Sequence, residues 1–451
     1  MKKNETASEY ILRTSREYSL YVNEHRAIPK VSDGLKDAQR KALWILSKKN
    51  EKIKTISLAG SLIASGLYLH GDASAADTIS LMAAPFANNI PLLEGEGTFG
   101  TRVAPIEGIS APRYTYVKKS KLTEKIIYQD IDLIPMKENY DGSTLEPETF
   151  LPLIPIILLN GIAGIAVGWS TEILPRNIKD IINATIKAID NKKISILNPS
   201  YQYLDIDVRN IEKNVWEFTG KGNVLDASHI NITELPPDLT LDKFIKRLIT
   251  YIDDGKINDF DDNSTEKINI IIKFKRGTVK SWDQEKIINF FKLRTKKTER
   301  IVVIDWSGKS IRQYESAELV IKDFVKWRFK YYIKRYEKLL KDTNYELNFL
   351  VGIKDCFDKN LPSQLIKMKD KKSVEKLIEN STKNLDRKQI EKISSLPTYR
   401  WSKDYLIQIK EKIKCMKKNK KLYQNLLKNP NEIKEIYKQE LKALKKENFC
   451  K

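Results

Sequence analysis

The stretch Ser57–Ala84, SLAGSLIASGLYLHGDASAADTISLMAA, reads as two short helices joined by a turn. Ser57 to Ala64 and Asp72 to Ala84 carry apolar residues at helical spacing, Gly66 to Gly71 separates them, and Pro85 stops the second. Asp72 is placed to cap the second helix, which would bury Ala76, Ile79 and Met82 and leave its first turn free to approach a groove. The outline is that of a helix-turn-helix. It equally describes an αα-hairpin that touches no nucleic acid.

Upstream, Ser8 is expected to cap a helix running to about Asn23, and Pro29 to Gly34 reads as a linker. Leu35, Ala38, Ala42 and Ile45 then recur at helical spacing. Downstream, Phe150 to Trp169 contains no charged residue and by length alone could span a bilayer. Pro152, Pro155, Asn160, Gly161, Gly164 and Gly168 would break such a helix repeatedly, so buried extended segments joined by a glycine turn are expected, and no membrane association. From about Asn160 to Lys309 strands mix with helix. Ile268, Ile270, Ile272 and Phe274 alternate with their neighbours, Arg300 to Trp306 reads as a strand, and Leu241 to Ile252 as a helix. From Ser316 onward helix dominates. Val320, Phe324, Trp327 and Tyr331 mark one face of a long helix reaching about Cys356, and Leu406, Ile409, Ile413, Met416, Tyr423 and Leu427 mark a second. Two long helices around a smaller helical segment suggest an antiparallel coiled arm with a knob at its tip.

Composition points to the partner. Across 451 residues the formal net charge is +21 with 31% charged residues, an excess of the sign that attracts polyphosphates. The lysines at 417, 418, 420 and 421 read as the solvated face of the arm rather than as a DNA site. Cys356, Cys415 and Cys450 show no paired spacing, which fits a reducing cytoplasm and excludes a cysteine-rich zinc module. Met1 to Glu9 is polar and lacks the apolar core of a signal peptide, so a cytoplasmic protein is expected. No GxxxxGK[ST] string occurs, so the chain is not expected to bind ATP. The Asp130-Asp132 and Asp205-Asp207 pairs and the Asp253 to Asp262 cluster read as solvated acidic groups rather than metal ligands.

Several short strings then follow in series. They are Asp33-Gly34-Leu35-Lys36 with Gln39-Arg40-Lys41, His70-Gly71-Asp72, Gly95-Glu96-Gly97-Thr98-Phe99-Gly100, Ala111-Pro112-Arg113-Tyr114-Thr115, and Asn160-Gly161 with Gly164-Ile165-Ala166-Val167-Gly168. In order and spacing this series resembles the breakage-reunion core of type IIA DNA topoisomerases, from about Tyr18 through the helical arm. The short length, the Gln-Arg-Lys string and the Gly168-to-Thr171 ending are similar to the T-even-like bacteriophage medium-subunit branch, rather than to gyrase A subunits with their further DNA-wrapping domain.

The resemblance implies a multi-domain α+β fold. Its parts would be an N-terminal arm and winged-helix (helix-turn-helix) DNA-cleavage domain over 1–150, an α/β tower domain over 151–315, a long antiparallel coiled-coil arm over 316–357 and 398–451, and a helical C-gate dimerisation knob over 358–397. It implies a homodimer that cuts double-stranded DNA with Tyr114 as nucleophile, supported by Arg113, Arg40 and His70. Lys36, Lys41, Ser74 and Arg102 would touch DNA, and Ile165 would be an apolar wedge between base pairs. Mg²⁺ and ATP would be bound by a large partner subunit, so no metal or nucleotide site is expected in this chain; if the chain is viral, the host-cell cytoplasm is its expected location. Ala73 stands where drug-sensitive bacterial relatives carry serine, although Asp77 keeps the acidic position, which implies weak quinolone sensitivity.

The chemistry is consistent with those assignments. A tyrosine phenol has a pKa near 10, so supplying the phenolate at neutral pH costs about 4 kcal/mol and a cation must help. The fixed fork of donors on Arg113 suits a phosphate whose charge grows as a fifth oxygen approaches. Tyr116, two residues on, is the natural decoy among twenty tyrosines. His70 can instead pin the turn into the second helix, and Ile165 can be an ordinary core residue in a glycine turn. A non-catalytic architectural DNA-binding protein with the same helix-turn-helix and arm is the alternative reading. A recombinase or initiator nuclease is disfavoured, since those use histidine-rich sites and His25, His70 and His229 lie far apart in sequence.

Overall fold

The computed structural model describes residues 6–139, 141–365 and 368–449; Cys450 and the first residues of the polar N-terminus lie outside them. Two compact units divide the chain: Met1–Arg328 with Lys438–Lys451, and Phe329–Tyr437. Both helix and sheet build the first; the second is helical. The last residues of the chain, Lys438–Lys451, belong to the first unit.

The first unit opens with α1, Ala7–Val22. Its cap is Thr6 rather than Ser8: the Thr6 hydroxyl accepts from the Glu9 amide while the Glu9 carboxylate accepts from the Thr6 amide, satisfying two orphan donors reciprocally. The helix widens into a π-turn, Asn23–Ala27. The segment 29–34 is not a linker. Pro29 and Val31 exchange backbone hydrogen bonds with Ile304, and Ile28, Val31 and Asp33 are buried, so paired backbone removes the freedom that Pro and Gly suggested.

Next come α2 (Asp37–Ser47), β1 (Ile53–Lys54), α3 (Thr55–Ala64) and α4 (Asp72–Ala83). The helix pair matches the expected one within a residue or two. Leu58 and Leu62 of α3 and Ile79 and Met82 of α4 are wholly buried, each contributing about 1.5–3 kcal/mol of apolar burial. The N-cap of α4 is Gly71, not Asp72, whose carboxylate accepts from the adjacent Ala73 amide. Two further strands, β2 (Leu93–Glu96) and β3 (Tyr116–Lys119), complete an antiparallel sheet in the order β1-β3-β2, with Tyr116 paired to Lys54 on one side and Glu96 on the other.

A small hairpin, β4 (Met136–Glu138) with β5 (Leu145–Pro147), leads into the uncharged stretch. Phe150 to Ile154 is buried and bends at Leu153 and Ile154, and Ile156–Asn160 forms a short helix, α5, where only extended chain was expected. A second hairpin follows, β6 (Ile162–Ile165) with β7 (Ser170–Ile173), then α6 (Ile178–Ile189). Among the described residues no helix is long and apolar enough to cross a membrane.

The α/β part holds two sheets. One is β8 (Asp207–Glu212) and β9 (Val215–Thr219) with the later β14 (Arg294–Thr298); the other joins β10 (Lys221–Val224), β11 (His229–Glu234), β12 (Asp259–Asp262) and β13 (Ile270–Lys273). Alternation along 268–274 puts Ile268, Ile270, Ile272 and Phe274 into a core with Phe244 of α7 (Leu241–Asp253) and Phe291 of α8 (Gln284–Phe291). The strand pair β15 (Ile301–Ile304) and β16 (Ile311–Tyr314) follows.

The long helix α9, Ala317–Asp358, begins in the first unit and continues into the second. Within the second unit it packs with α10 (Leu361–Leu365), α11 (Lys371–Ser381), α12 (Arg387–Ser394) and α13 (Lys403–Lys428) around Leu350, Ile353, Ile378, Ile393 and Ile409. Tyr336 meets Tyr423, and Glu346 meets Lys412, so α9 and α13 run antiparallel. The second long helix does not continue unbroken: Pro430 cannot donate to the preceding turn and instead opens α14, Pro430–Lys445. Asp130, expected to be solvated, is buried against the Arg328 guanidinium, whose Nε also donates to the Pro152 carbonyl at 2.9 Å.

Candidate active site

Tyr114 stands two residues before β3, in a turn closed by its amide donating to the Ala111 carbonyl at 2.9 Å. Both flanks are tied to the start of α3. The Thr55 amide donates to the Thr115 carbonyl at 3.0 Å and the Ile56 amide to the Pro112 carbonyl at 3.2 Å, while the hydroxyls of Thr55 and Thr115 bond at 2.7 Å in the core. The backbone is therefore held while the side chain stands free: Tyr114 is 71% exposed, and the Arg113 guanidinium lies 5.5 Å from its ring centroid. Tyr116, the decoy, is instead a strand residue whose ring is approached by Lys52 and Lys54. Burial pushes the phenols of Tyr128, Tyr201 and Tyr203 up, the wrong direction for a nucleophile.

The loop beside β2 is shaped by glycine. Gly100 has φ +78°, and a Cβ there would lie 2.0 Å from the Pro105 carbonyl oxygen, so only glycine lets that backbone close on itself. The loop residues Gly95 and Gly97 to Gly100 line a cavity of about 680 Å³, to which Tyr114 does not contribute.

His70 precedes α4 and is exposed, its Nε2 bonded to the Tyr21 hydroxyl at 2.8 Å and its ring 5.3 Å from that of Tyr68. Ser74 bonds the Tyr68 hydroxyl at 3.1 Å. Lys36, His70 and Ser74 line one cavity of about 390 Å³ together with His25, Arg26 and Gln39. Burial lowers the Lys36 pKa, and its ammonium donates to the Ala163 carbonyl at 2.9 Å. Sequence reasoning missed Tyr21, His25 and Arg26 here. Tyr21 and His25 sit four residues apart, a spacing that a helix ending at Asn23 conceals, and their rings are 5.3 Å apart.

Three basic residues expected at DNA or phosphate are paired with groups of the fold itself. Arg40 is 2% exposed, and its Nε and Nη2 donate to the two oxygens of Asp33 at 2.7 and 2.9 Å, with Nη2 also reaching the Leu35 carbonyl. Burial opposes the charge, but the Asp33 carboxylate outweighs it and raises the Arg40 pKa. A guanidinium so enclosed has no face left for a phosphate. Lys41 is likewise buried, its ammonium 2.7 Å from Asp37 and 2.9 Å from Glu146; burial is overcome by those carboxylates, so its pKa is raised. Arg102 turns to the α/β part, meeting Glu234 at 3.4 Å and the Leu235 carbonyl at 3.1 Å.

Ile165 meets the opposite expectation from a core residue. It ends β6 and is 90% exposed, the side chain projecting from a hairpin whose neighbouring Ala166 packs against the cluster of Ala27, Ile28, Val302 and Ile304. Among the described residues no group of three or more His, Cys, Asp or Glu is placed to hold a metal ion. The Arg113 guanidinium beside Tyr114 offers no oxygen ligand to Mg²⁺.

The family of the A subunits of DNA gyrase/topoisomerase IV matches residues 26–442. The chain belongs to that family. Within this type II DNA topoisomerase family, the medium subunit of the DNA topoisomerase of Enterobacteria phage T4 is 29% identical over 89% of this chain and 91% of its own length. DNA topoisomerase 2 of Bombyx mori is 31% identical over 70% of this chain, which spans only 21% of that protein. The solved DNA-binding, cleavage and re-ligation domain of Plasmodium falciparum topoisomerase II superposes with a TM-score of 0.82 at 25% identity, covering 98% of this chain and 66% of that one.

Proposed function

We propose that this chain is the DNA-cleavage and religation subunit of an ATP-dependent type II topoisomerase, with Tyr114 as the nucleophile. The observation that carries the reading is an exposed phenol on a backbone pinned to α3, beside the exposed Arg113. Tyr114 Oη attacks a backbone phosphorus in line with the bond to the 3′-oxygen. The P–Oη bond forms as the P–O3′ bond breaks; the phenol proton leaves to solvent and the departing oxygen takes one up as a 3′-hydroxyl. Arg113 neutralises the charge that builds on the phosphate. The 5′-phosphotyrosyl ester conserves the bond, so reversal reseals the strand without a further energy source.

On this reading α3, α4 and the β1-β3-β2 sheet are the winged-helix domain, residues 151–315 the tower, and α9 with α13 a coiled-coil arm ending in a dimerising C-gate. A homodimer then cuts both strands of a duplex, and a second duplex passes through. Lys36, His70 and Ser74, which share a cavity, are the groups placed to meet DNA, with Ile165 as the wedge. The family uses Mg²⁺ and ATP; on this reading a partner subunit would hold both, and Mg²⁺ would supply phosphate charge stabilisation there.

Replacing Tyr114 by Phe should retain duplex binding and abolish denaturant-trapped covalent adducts, measured in the presence of Mg²⁺ and the partner subunit. Adducts persisting in that variant would move the nucleophile elsewhere. No adduct from the wild-type assembly would favour a non-catalytic DNA-binding protein.

A further inference from the structure

The side chain that fixes the exposed Ile165 hairpin lies outside every motif of the sequence. The π-turn Asn23–Ala27 presents a buried amide, Asn23, to the hairpin tip. Its Nδ2 donates to the Val167 carbonyl at 3.3 Å and its Oδ1 accepts from the Val167 amide at 3.1 Å, so one side chain satisfies both polar groups of the tip residue. The hairpin closes just there, with the Ala166 amide donating to the Trp169 carbonyl at 2.8 Å and Gly168 at φ +76°. The same turn meets the hairpin a second time. A Cβ on Gly164 would fall 2.2 Å from the Ala27 carbonyl oxygen, so glycine allows the strand to lie directly on the turn. Lys36 adds a third tie through the Ala163 carbonyl.

We propose that Asn23 is the positioning residue for Ile165: it stiffens the hairpin tip so that the isoleucine enters a base step instead of yielding to it. The inference rests on Ile165 acting as a wedge. Unstacking a step costs a few kcal/mol, and a two-stranded hairpin is marginal alone. A tip free to bend would relax away from the stack at less cost than the DNA would. The Asn23 backbone amide donates to the Ser19 carbonyl, so its side chain faces the tip in the register of α1, and the wider turn is closed after it by the Ile28 amide donating to the Asn23 carbonyl at 3.3 Å.

The test uses the full chain with a short duplex labelled at both ends, reading bending by energy transfer and affinity by titration. Asn23→Ala should lower the bent fraction about five-fold, the effect of two lost hydrogen bonds partly replaced by water, while affinity stays within about two-fold. Ile165→Ala should lose bending as well, and the double variant should bend no less than Ile165→Ala alone. Asn23→Asp, which keeps the acceptor for the Val167 amide and loses the donor, should fall between wild type and Asn23→Ala and serves if the alanine variant does not fold. Wild-type bending in Asn23→Ala while Ile165→Ala fails to bend overturns the role of Asn23. Additive losses in the double variant overturn it too. A wild-type chain that binds without bending overturns the wedge reading itself.

Discussion

Replacing Arg40 by Ala separates two roles for the Gln39-Arg40-Lys41 string. If Arg40 served a phosphate, its loss would weaken DNA binding and spare the fold. The geometry requires the reverse. Asp33 is 1% exposed and holds Arg40 through both oxygens, while accepting also from the amides of Leu35 at 3.1 Å and Phe150 at 3.0 Å. Removing one partner of a buried pair leaves the other charge uncompensated, at a cost of about 3–5 kcal/mol. The two surviving amide donors keep the carboxylate partly satisfied, so the lower end, about 3 kcal/mol, is expected. Urea unfolding followed by tryptophan fluorescence reads this, since Trp44 lies one turn away on α2. DNA binding reads the other role: each cation withdrawn from a duplex phosphate makes the slope of log K against log salt shallower by about 0.9. Arg40→Ala should leave that slope unchanged wherever the protein remains folded. A variant as stable as wild type whose slope becomes shallower by about one unit would refute the structural assignment.

Two further outcomes follow from the aromatic cluster. Tyr21→Phe removes the hydroxyl 2.8 Å from His70 Nε2 and keeps the ring; adduct formation should slow about two- to ten-fold at unchanged duplex affinity, and the ¹⁵N imidazole signals of His70, one of only three histidines, should move. Unmoved signals and rate would leave Tyr21 without a role at His70. For His25, burial is the largest influence and lowers its pKa below 6.5, with Lys137 and Lys41 adding to the lowering while Asp37 and Glu24 oppose it. The unfolded chain then takes up the proton first, so stability falls as pH drops below about 6.5 and through the folded pKa. His25→Gln should flatten the fall in urea midpoint between about pH 7.5 and 5.5; an unaltered fall would assign the acid sensitivity to other groups.

What the sequence made legible was local. The α3–α4 pair and the alternation along 268–274 follow from periodicity in which near neighbours do the work. What it concealed was pairing over distance. Arg40, Lys41 and Arg102 look alike on paper, three cations near conspicuous motifs, but Glu146 and Glu234, which neutralise two of them, lie far along the chain. Each such carboxylate removes one cation from the surface that DNA can meet. The formal charge of +21 therefore says that a polyanion is attracted, not where it lies. The same distance hid the aromatic cluster: His25 and His70 are remote in sequence, and Tyr21 meets the rings of both in one pocket. The segment that looked least informative, an arm followed by a supposed linker, thus supplies the side chains that hold both His70 and the Ile165 hairpin. If Tyr21 and Asn23 act as argued, damage to this arm should impair bending and cleavage separately, because the two interactions use different side chains on opposite sides of the same turn boundary.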